Sequence, residues 1–476
     1  MYDFIIAGSG LTAFAALSEL EESKSRILII DYGLIAKKSN EELQRIDINL
    51  IKPTESKIFL GDDFSTSPIP AGNIKNLTIS NSYALGGLSN IWGCAVEEFN
   101  LEEFIDWPDI NKGLSYGYKR LREKINFVSP LDLAKKDDFD LYYFNHLKNR
   151  KFKDIEIKKS ILAINKNLCK FCNECLYGCR HGATFNSKNY IEEQIKAKRV
   201  DYEGNIHIDL IKDGKEFSTV FGTSKNGTKM TFKGKKVLIC MGAINTAKLI
   251  LNSFPDIKRI EVKDSQCFNM PLISKKLVGI NNKKESIAFS QFVIKQKKIL
   301  KNKSIHYQVY YPSLYTKSLI DFKLSFLPFM LPKYFKERVY VAQGYLPSDL
   351  SSTVSLTMVG KNIEANLARP HSEIYLNYSI NNISRIFSQS GFFPIRSFLN
   401  IMNPFSGYHF GSSLPMSNKS LNLNSPSTDL YGRLKNVRNI HVLDSSILPN
   451  IPAGSYSFTV MANAIRIVKS INDKKI

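Results

Sequence analysis

The first residues of the chain carry a spacing of glycines that could bind the phosphates of a dinucleotide. Gly8, Gly10 and Ala13 form a Gly-x-Gly-x-x-Ala motif between four apolar residues and an amphipathic stretch, and a second apolar run ends at Asp31. In this fingerprint the glycines allow a tight turn and a close approach to pyrophosphate, and the acid hydrogen-bonds a ribose. The predicted contacts are Gly8, Ser9, Gly10, Thr12, Ala13 and Asp31.

Four cysteines within a short stretch form a second pattern that could do chemistry. Cys169, Cys172, Cys175 and Cys179 have the spacing C-x2-C-x2-C-x3-C. This is the spacing of a bacterial ferredoxin iron–sulfur site, without the proline that usually follows. In a reducing compartment it indicates a metal site rather than disulfides. Zinc and unmetallated thiols stay open, although zinc ribbons usually place their cysteine pairs well apart. In ferredoxins the fourth cysteine binds another cluster, so a single cluster here needs Cys179 folded back, a remote thiol or a three-iron form.

The segments around these residues predict the elements that must position them. An apolar strand, a helix and a second strand are expected between residues 3 and 31. A buried strand at 236–240 leads into Gly242, Ala243 and a helix through residue 251, and a strand at 440–443 ends before Asp444 and Ser445. A glycine-rich loop at 84–93 and a final helix at 456–471 complete this part of the chain. The pattern predicts an α/β, Rossmann-like domain with a central parallel sheet.

The composition changes from about residue 262 to residue 400, where aromatic and β-branched residues become frequent. Strand-like segments such as 305–311 and 353–359 occur here. We predict an inserted, mostly antiparallel α+β substrate domain at 262–400. The dinucleotide-binding domain then comprises residues 1–261, with a cysteine-rich insertion at 165–187, and residues 401–476.

The bulk properties of the chain limit its partners. It has 476 residues and a formal net charge of +21, but its lysines are dispersed, and no basic helix or arginine-rich arm indicates nucleic-acid binding. The basic and aromatic segment 317–340 leaves contact with an anionic membrane surface as a minor alternative. No apolar run reaches the ~18 residues that cross a bilayer. The first strand begins at residue 3, without room for a secretory signal, so we expect a cytoplasmic protein.

These blocks together resemble the glucose–methanol–choline (GMC) family of flavoprotein oxidoreductases. Besides the N-terminal fingerprint, the resemblance rests on the segments 86–93, 107–108, 242–249, 409–416 and 442–449, in the order of the family. It implies that the dinucleotide is FAD, and it includes a subgroup of sugar dehydrogenases with a ferredoxin-like cysteine run. The further flavin contacts that the resemblance implies are Gly86, Gly87, Ser89, Asn90, Gly242, Ala243, Asp444 and Ser445.

The resemblance also implies catalytic residues. A base that takes the hydroxyl proton makes hydride release from an alcohol easier, and histidine suits this task because its pKa lies near neutrality. The residue that matches the family's base is His409. Where the family has an Asn or His that holds the substrate oxygen, this chain has Ser455, which can donate a hydrogen bond but is not a base near neutrality. Tyr456 is the alternative, and the departure raises the question of whether the substrate is a simple alcohol.

The resulting hypothesis is an FAD-dependent dehydrogenase that oxidises a hydroxyl group of a sugar or another alcohol. An iron–sulfur site beside the flavin would pass electrons to a partner protein or a quinone. The alternatives are an oxidase that uses O₂, a flavoenzyme without net redox, and an inactive flavin-binding scaffold or electron-transfer subunit. Ser455 keeps the last of these open.

Overall fold

The computed structural model describes most of the chain, and every structural statement below concerns the described residues. These are residues 1–33, 66–67, 79–80, 82–99, 103, 107–133, 139–275, 287–300, 303–310, 338–360, 362–418 and 426–473. The basic and aromatic segment 317–340 lies outside them, apart from its last three residues.

The described residues form helices and strands, and many of the strands follow one another without an α-helix between them. The helices are α1 Leu11–Leu20, α2 Asn111–Lys124, α3 Phe139–Asn149, α4 Ser187–Lys196, α5 Ala243–Ser253, α6 Glu373–Gln389 and α7 Ser457–Asn472. The strands are β1 Tyr2–Ala7, β2 Ile27–Ile30, β3 Thr66–Ser67, β4 Ile79–Ser80, β5 Ile155–Lys159, β6 Asp201–Glu203, β7 Ile206–Lys212, β8 Ser218–Ser224, β9 Lys229–Ile239, β10 Arg259–Asp264, β11 Cys267–Ser274, β12 Ser290–Leu300, β13 Lys303–Tyr310, β14 Val339–Tyr345, β15 Thr353–Val359, β16 Asn362–Arg369, β17 Phe392–Pro394, β18 Asn400–Ile401, β19 Phe410–Gly411 and β20 Ile440–Val442. None of these helices is both long and apolar enough to cross a membrane.

The first three elements form the predicted β–α–β unit. Strands β1 and β2 are parallel neighbours, with Phe4 opposite Ile27 and Ala7 opposite Ile30. Both strands are almost entirely buried, because helices and further strands cover them. Such burial on both faces explains why they read as continuous apolar runs.

The sheet that contains β1 is mixed rather than parallel throughout. Its order is β6-β2-β1-β9-β8-β7, and β20 also pairs with β9. The pairs β1–β2, β2–β6, β1–β9 and β9–β20 are parallel, whereas β7, β8 and β9 form an antiparallel meander. Short turns join these three strands, and a short turn can join only antiparallel neighbours. The prediction of a central parallel sheet therefore holds for the middle of the sheet and not for the edge formed by β7 and β8.

Besides this mixed sheet, the described residues form two larger antiparallel sheets and a two-stranded antiparallel sheet of β3 and β4. Of the two larger sheets, one has the order β16-β15-β10-β19, and the other has the order β17-β11-β14-β13-β12-β5, with β18 also on β11. Strand β5 comes from the segment 1–261, yet it pairs with β12. The chain is therefore a mixed α/β fold with several sheets, in which the two predicted domains share strands.

The antiparallel sheet that contains β13 has an apolar face and a polar face. On β13 the side chains of Ile305, Tyr307 and Val309 enter an apolar core with helices α3 and α6. The alternating residues His306, Gln308 and Tyr310 lie on the other face, where they line cavities. Because successive side chains of a strand point to opposite faces, the polar face of this sheet lines the cavity that the dinucleotide fingerprint also lines.

Candidate functional site

The N-terminal fingerprint lines a large cavity. Gly8 turns the chain after β1 with a φ of +100°, and Gly10 caps α1. A Cβ at Gly8 would lie 2.6 Å from the carbonyl oxygen of Cys240, so only glycine fits this turn. Leu11 and Thr12 line the cavity at the start of α1. Because the first N–H groups of a helix have no partners within it, this end of α1 is suited to a phosphate.

Asp31 follows β2 and lines the same cavity. Its carboxylate accepts a hydrogen bond from the Ser9 hydroxyl, whose oxygen accepts the Gly86 N–H at 2.8 Å. Burial raises the pKa of Asp31 to about 6, and the hydrogen bond from Ser9 opposes this effect. The carboxylate is thus mostly ionised at neutral pH but desolvated, so additional donors such as ribose hydroxyls would stabilise its charge.

Ser89 and Asn90 fix the shape of the glycine loop. The Ser89 hydroxyl donates to the Gly86 carbonyl at 2.6 Å, and the Asn90 amide donates to the carbonyls of Leu85 and Gly87 at 3.0 Å each. Their donors are therefore used within the loop. We conclude that these two side chains position the loop, while backbone groups remain to meet a ligand.

Ser187, at the start of α4, is a residue that the sequence did not single out. Its hydroxyl donates to the Ser9 carbonyl at 2.7 Å, and its N–H donates to the Ser89 hydroxyl at 3.0 Å. It thereby joins the fingerprint to the glycine loop across nearly two hundred residues of chain. The sequence feature that could have indicated Ser187 is Asn186, a typical helix-capping residue, whose side chain accepts the Asn189 N–H at the start of α4.

Asp444 connects the turn that follows β9 with the segment that follows β20. Its carboxylate accepts hydrogen bonds from the Gly242 N–H at 3.0 Å and the Thr246 hydroxyl at 2.5 Å. It also accepts the N–H and the hydroxyl of Ser446, at 2.9 and 2.6 Å. Burial raises the pKa of Asp444, and these hydrogen bonds oppose the rise. Four donors saturate the carboxylate, so its role is to hold the turn after β9 against the end of β20.

His409 lies in the segment before β19 and lines the same cavity. Its ring stacks on Tyr345, with 4.4 Å between the ring centroids, and it meets the edge of Tyr456 at 5.4 Å. Within the described part of the chain, its Nδ1 has no hydrogen-bond partner. Burial lowers the pKa of His409 to about 3, and the nearby His306 lowers it further. The ring is therefore neutral at physiological pH and able to accept a proton.

Ser455 and Tyr456 also line the cavity, but their hydroxyl protons are engaged elsewhere. The Ser455 hydroxyl donates to the Ala95 carbonyl at 2.7 Å, and the Tyr456 hydroxyl donates to the Phe410 carbonyl at 3.0 Å. Toward the cavity these hydroxyls offer acceptor oxygens. The hydrogen bond expected from Ser455 to a substrate would require it to leave Ala95.

Four uncharged side chains of the antiparallel sheet line the same cavity as His409, and no sequence motif marks them. Gln308 and Tyr310 lie on β13, and Gln343 and Tyr345 lie on β14. The Tyr310 hydroxyl donates to the Gln308 amide oxygen at 2.8 Å. Burial raises the pKa of both tyrosines, which stay protonated. Only the pairing of the two strands brings these residues together.

One cavity of about 810 Å³ is lined by most of these groups, and its volume lies in the upper part of the range of ligand pockets, roughly 300–1,000 Å³. The predicted cofactor contacts that line it are Gly8, Ser9, Gly10, Thr12, Asp31, Gly87, Ser89, Asn90, Gly242, Ala243, Asp444 and Ser445. Ala13 and Gly86 do not line it. Ala13 is fully buried in the packing of α1, and Gly86 supports Ser9 from behind.

The cysteine run lies beside this cavity, which Cys175 and Cys179 line. Backbone groups already donate to two of the sulfur atoms. The Phe171 N–H meets the Cys169 Sγ at 3.5 Å, and the Ala183 N–H meets the Cys179 Sγ at 3.3 Å. Such N–H groups stabilise thiolate charge, as sulfur ligands of a metal require.

The four sulfur atoms are not gathered as a mononuclear zinc site would require. A Zn–S bond of about 2.3 Å would place them about 4 Å apart. Among the described residues, the group of potential ligand atoms within 4.8 Å of one another is Cys172, Glu174 and His181. Both oxygens of Glu174 also accept hydrogen bonds from Arg180, at 2.8 Å. The arrangement therefore disfavours the four-cysteine zinc alternative, whereas a multi-iron cluster binds its thiolates at separate irons.

Comparison with known proteins identifies one family model and one fold. Residues 396–464, which include His409, Asp444 and Ser455, match the model described as GMC oxidoreductase. The fold is similar to the crystal structure of pyridoxine 4-oxidase from Mesorbium loti, with a TM-score of 0.67, 13% identity and coverage of 99% of each chain. No curated protein matches the sequence.

These findings support the enzyme class that the sequence predicts. The matched segment carries the candidate base and the last of the predicted flavin contacts, and the fold is similar to that of a protein named pyridoxine 4-oxidase. The prediction of an FAD-dependent oxidoreductase acting on CH–OH groups is confirmed at this level. The resemblance to GMC oxidoreductases is confirmed for residues 396–464, and the subgroup with a ferredoxin-like cysteine run stays a prediction.

Proposed function

We propose that the protein is an FAD-dependent dehydrogenase that oxidises a hydroxyl group of an uncharged sugar or another alcohol. The observation that carries the proposal is the cavity of about 810 Å³ shared by the dinucleotide fingerprint, the glycine loop and His409. A cofactor with a nucleotide end and a reactive end needs such a shared space. Neither end alone would indicate the reaction.

The lining residues fit FAD. Asp31 would accept the ribose hydroxyls, the start of α1 would meet the pyrophosphate, and backbone around Gly87 and Gly242 would meet the flavin ring. A Cβ at Gly242 would find no atom within 4 Å, so this glycine faces open space of the kind a bound ring fills. Bound FAD supplies the acceptor for a hydride.

In this proposal His409 takes the hydroxyl proton of the substrate. Its stacking on Tyr345 and its edge contact with Tyr456 hold the imidazole in one orientation. Burial keeps the ring neutral before the reaction, with a pKa of about 3, so a proton that it takes from the substrate is passed on rather than retained. The acceptor oxygens of Ser455 and Tyr456 can hold other hydroxyl groups of the substrate.

The charge of the cavity supports an uncharged substrate. Among its described lining residues, the Asp, Glu, Lys and Arg side chains are Asp31, Asp444 and Lys248, which all belong to the part with the mixed sheet. The antiparallel sheet contributes glutamine and tyrosine side chains instead. Such groups exchange hydrogen bonds with sugar hydroxyls, and a phosphate or carboxylate would find no cation among them.

For the electron acceptor we propose an iron–sulfur cluster on Cys169, Cys172, Cys175 and Cys179. The position of the run beside the cavity and the backbone N–H groups on two sulfurs support it. A partner protein or a quinone would then receive the electrons. Direct transfer to O₂ is the competing proposal, because the protein of similar fold is named an oxidase.

The first experiment is anaerobic flavin bleaching. Purified protein should have an absorbance band at about 450 nm, which is typical of flavin. The protein is mixed in turn with glucose, methanol, choline, benzyl alcohol and pyridoxine, and the loss of this band is followed. We expect at least one of these compounds to bleach it. His409→Asn should retain FAD and bleach about 10²–10⁴-fold more slowly, the usual contribution of a general base. His371→Asn, a surface histidine paired with Glu373, is the matched control. No bleaching of the wild type would favour a flavin-binding scaffold.

The second experiment distinguishes the acceptors. Iron analysis and an EPR spectrum of anaerobically purified protein should reveal iron and a reducible cluster. The variant Cys172→Ser should lose both, while its flavin is still bleached by substrate. An iron-free protein that consumes O₂ at full rate would instead establish the oxidase.

A further inference from the structure

A second cavity lies next to the large one. Its volume is about 320 Å³, and it shares Ala95, Gln308 and Ser455 with the large cavity. These three residues therefore belong to the wall between the two spaces. The hydrogen bond from Ser455 to Ala95 runs within that wall.

A buried imidazole that makes no hydrogen bond to any described residue faces this second cavity. The side chain of His306 is 2% exposed, and among the described residues neither of its ring nitrogens has a hydrogen-bond partner. Glu97 lines the same cavity, with its Oε2 3.7 Å from the His306 Nδ1. A small movement or one water molecule would join the two. Buried polar atoms are seldom left unpaired, so this pair points to water or protons in the cavity.

The pair packs directly against the loop that carries Ser455. A Cβ at Gly454 would lie 2.7 Å from the Glu97 Oε2 and 3.6 Å from the His306 Nδ1. Glycine at this position is therefore what allows the pair to reach the wall. The second cavity is in contact with the catalytic loop rather than merely near it.

The charges around His306 keep it neutral until a proton arrives. The charged groups that face it are Glu97, Lys295, Glu103 and Lys158. Burial and the charge of Lys295 lower the pKa of His306 to about 4, and Glu103, paired with Lys295 at 2.7 Å, opposes them. A charge on His306 in turn disfavours a charge on His409. The two rings therefore suit successive rather than simultaneous protonation.

We propose that the second cavity is the outlet for the proton released by substrate oxidation, with His306 and Glu97 as its relay. This inference rests on the proposed function. The proton that His409 takes from the hydroxyl crosses the wall through water beside Ser455 and binds one ring nitrogen of His306. The other nitrogen gives its proton to Glu97, which releases it to solvent near Arg122. Bound FAD would supply the acceptor for the hydride. His306 and Glu97 return to their starting charges, and the imidazole, left in its other tautomer, is reset by proton exchange with water before the next turnover.

The test follows bleaching and proton release together. Wild-type protein in weak buffer is mixed anaerobically with the alcohol that bleaches fastest, and a pH-indicator dye reports the released proton. We expect the two signals to coincide. In His306→Gln and in Glu97→Gln, the dye signal should lag behind bleaching by about tenfold or more. The surface control His371→Gln should behave as the wild type. Coincident signals in His306→Gln would overturn the proposal.

Two further measurements separate a relay from a structural defect. Imidazole added to His306→Ala should restore coincident signals, because the free ring can occupy the vacated space; a lag that imidazole leaves unchanged would count against the relay.

If no alcohol bleaches the wild type, the proposed function fails, and the route is then tested by light-driven reduction of the bound flavin with EDTA. Proton uptake that is delayed in His306→Gln would support the route, and equal uptake would refute it.

Discussion

Replacing Asp31 by asparagine should change the stability of the apoprotein and its affinity for FAD in opposite directions. Burial raises the pKa of Asp31 from its ordinary value of 3.8 to about 6. Ionising this carboxyl in the folded apoprotein therefore costs free energy at neutral pH. At 1.36 kcal/mol per pKa unit, the cost is about 3 kcal/mol. It is fully present above pH 6 and disappears as the pH falls from about 6 to about 4.

The amide of Asp31→Asn carries no such cost and can still accept a hydrogen bond from Ser9. We therefore expect the variant apoprotein to unfold at a higher temperature than the wild type near about pH 7, and the difference to vanish near about pH 4. The assay is thermal unfolding of FAD-free protein at several pH values. Equal stability of the two apoproteins near neutral pH would refute the assignment of a desolvated, ionised carboxylate.

The effect on FAD has the opposite sign. A ribose held by the carboxylate favours its ionised form, so the wild-type dissociation constant for FAD should rise below about pH 6, by up to about tenfold per pH unit. Asp31→Asn should bind FAD more weakly at neutral pH, by about 1.5–3 kcal/mol for lost hydrogen bonds to a charged group. Its affinity should not change between about pH 5 and 7. Flavin fluorescence quenching measures both trends, and a wild-type affinity independent of pH would contradict them.

Three further variants test the packing around the site. Gly8→Ala should lose about 2 kcal/mol or more in unfolding free energy and fail to retain FAD, because its Cβ would meet a carbonyl oxygen at 2.6 Å; normal FAD content would contradict this. Ser187→Ala should lose about 1 kcal/mol in urea unfolding and release FAD faster, since its bond to Ser9 disappears. Lys295→Met should lose about 3–5 kcal/mol by removing the cation that pairs with the buried Glu103 carboxylate, and replacing Glu103 by glutamine as well should recover part of the loss.

The local part of this protein could be predicted from its sequence. The unit from β1 to β2 depends on short-range rules: apolar runs for buried strands, glycine at a positive φ, and an acid at the strand end. Helices α5 and α7 also lie within two residues of their predicted positions, whereas β9 begins at Lys229, seven residues before the predicted start, and ends near the predicted residue 240. The prediction of a parallel sheet was only partly right, because β7 and β8 add to its edge as antiparallel strands. Which strands pair at a sheet edge is decided by the tertiary structure and not by the local sequence.

The chain by itself determined the elements that carry Gly8 and Asp31, since both belong to a motif whose spacing is local, whereas His409 was identified through the family resemblance. The tertiary structure alone decided what those residues face. Ser455 donates to Ala95, 360 residues away, and Gln308 enters the cavity because β13 pairs with β14 in one register. The wall between the two cavities and the burial of His306 arise in the same way. Such contacts join segments that are distant along the chain, and no local pattern of residues records which distant segments will pack together.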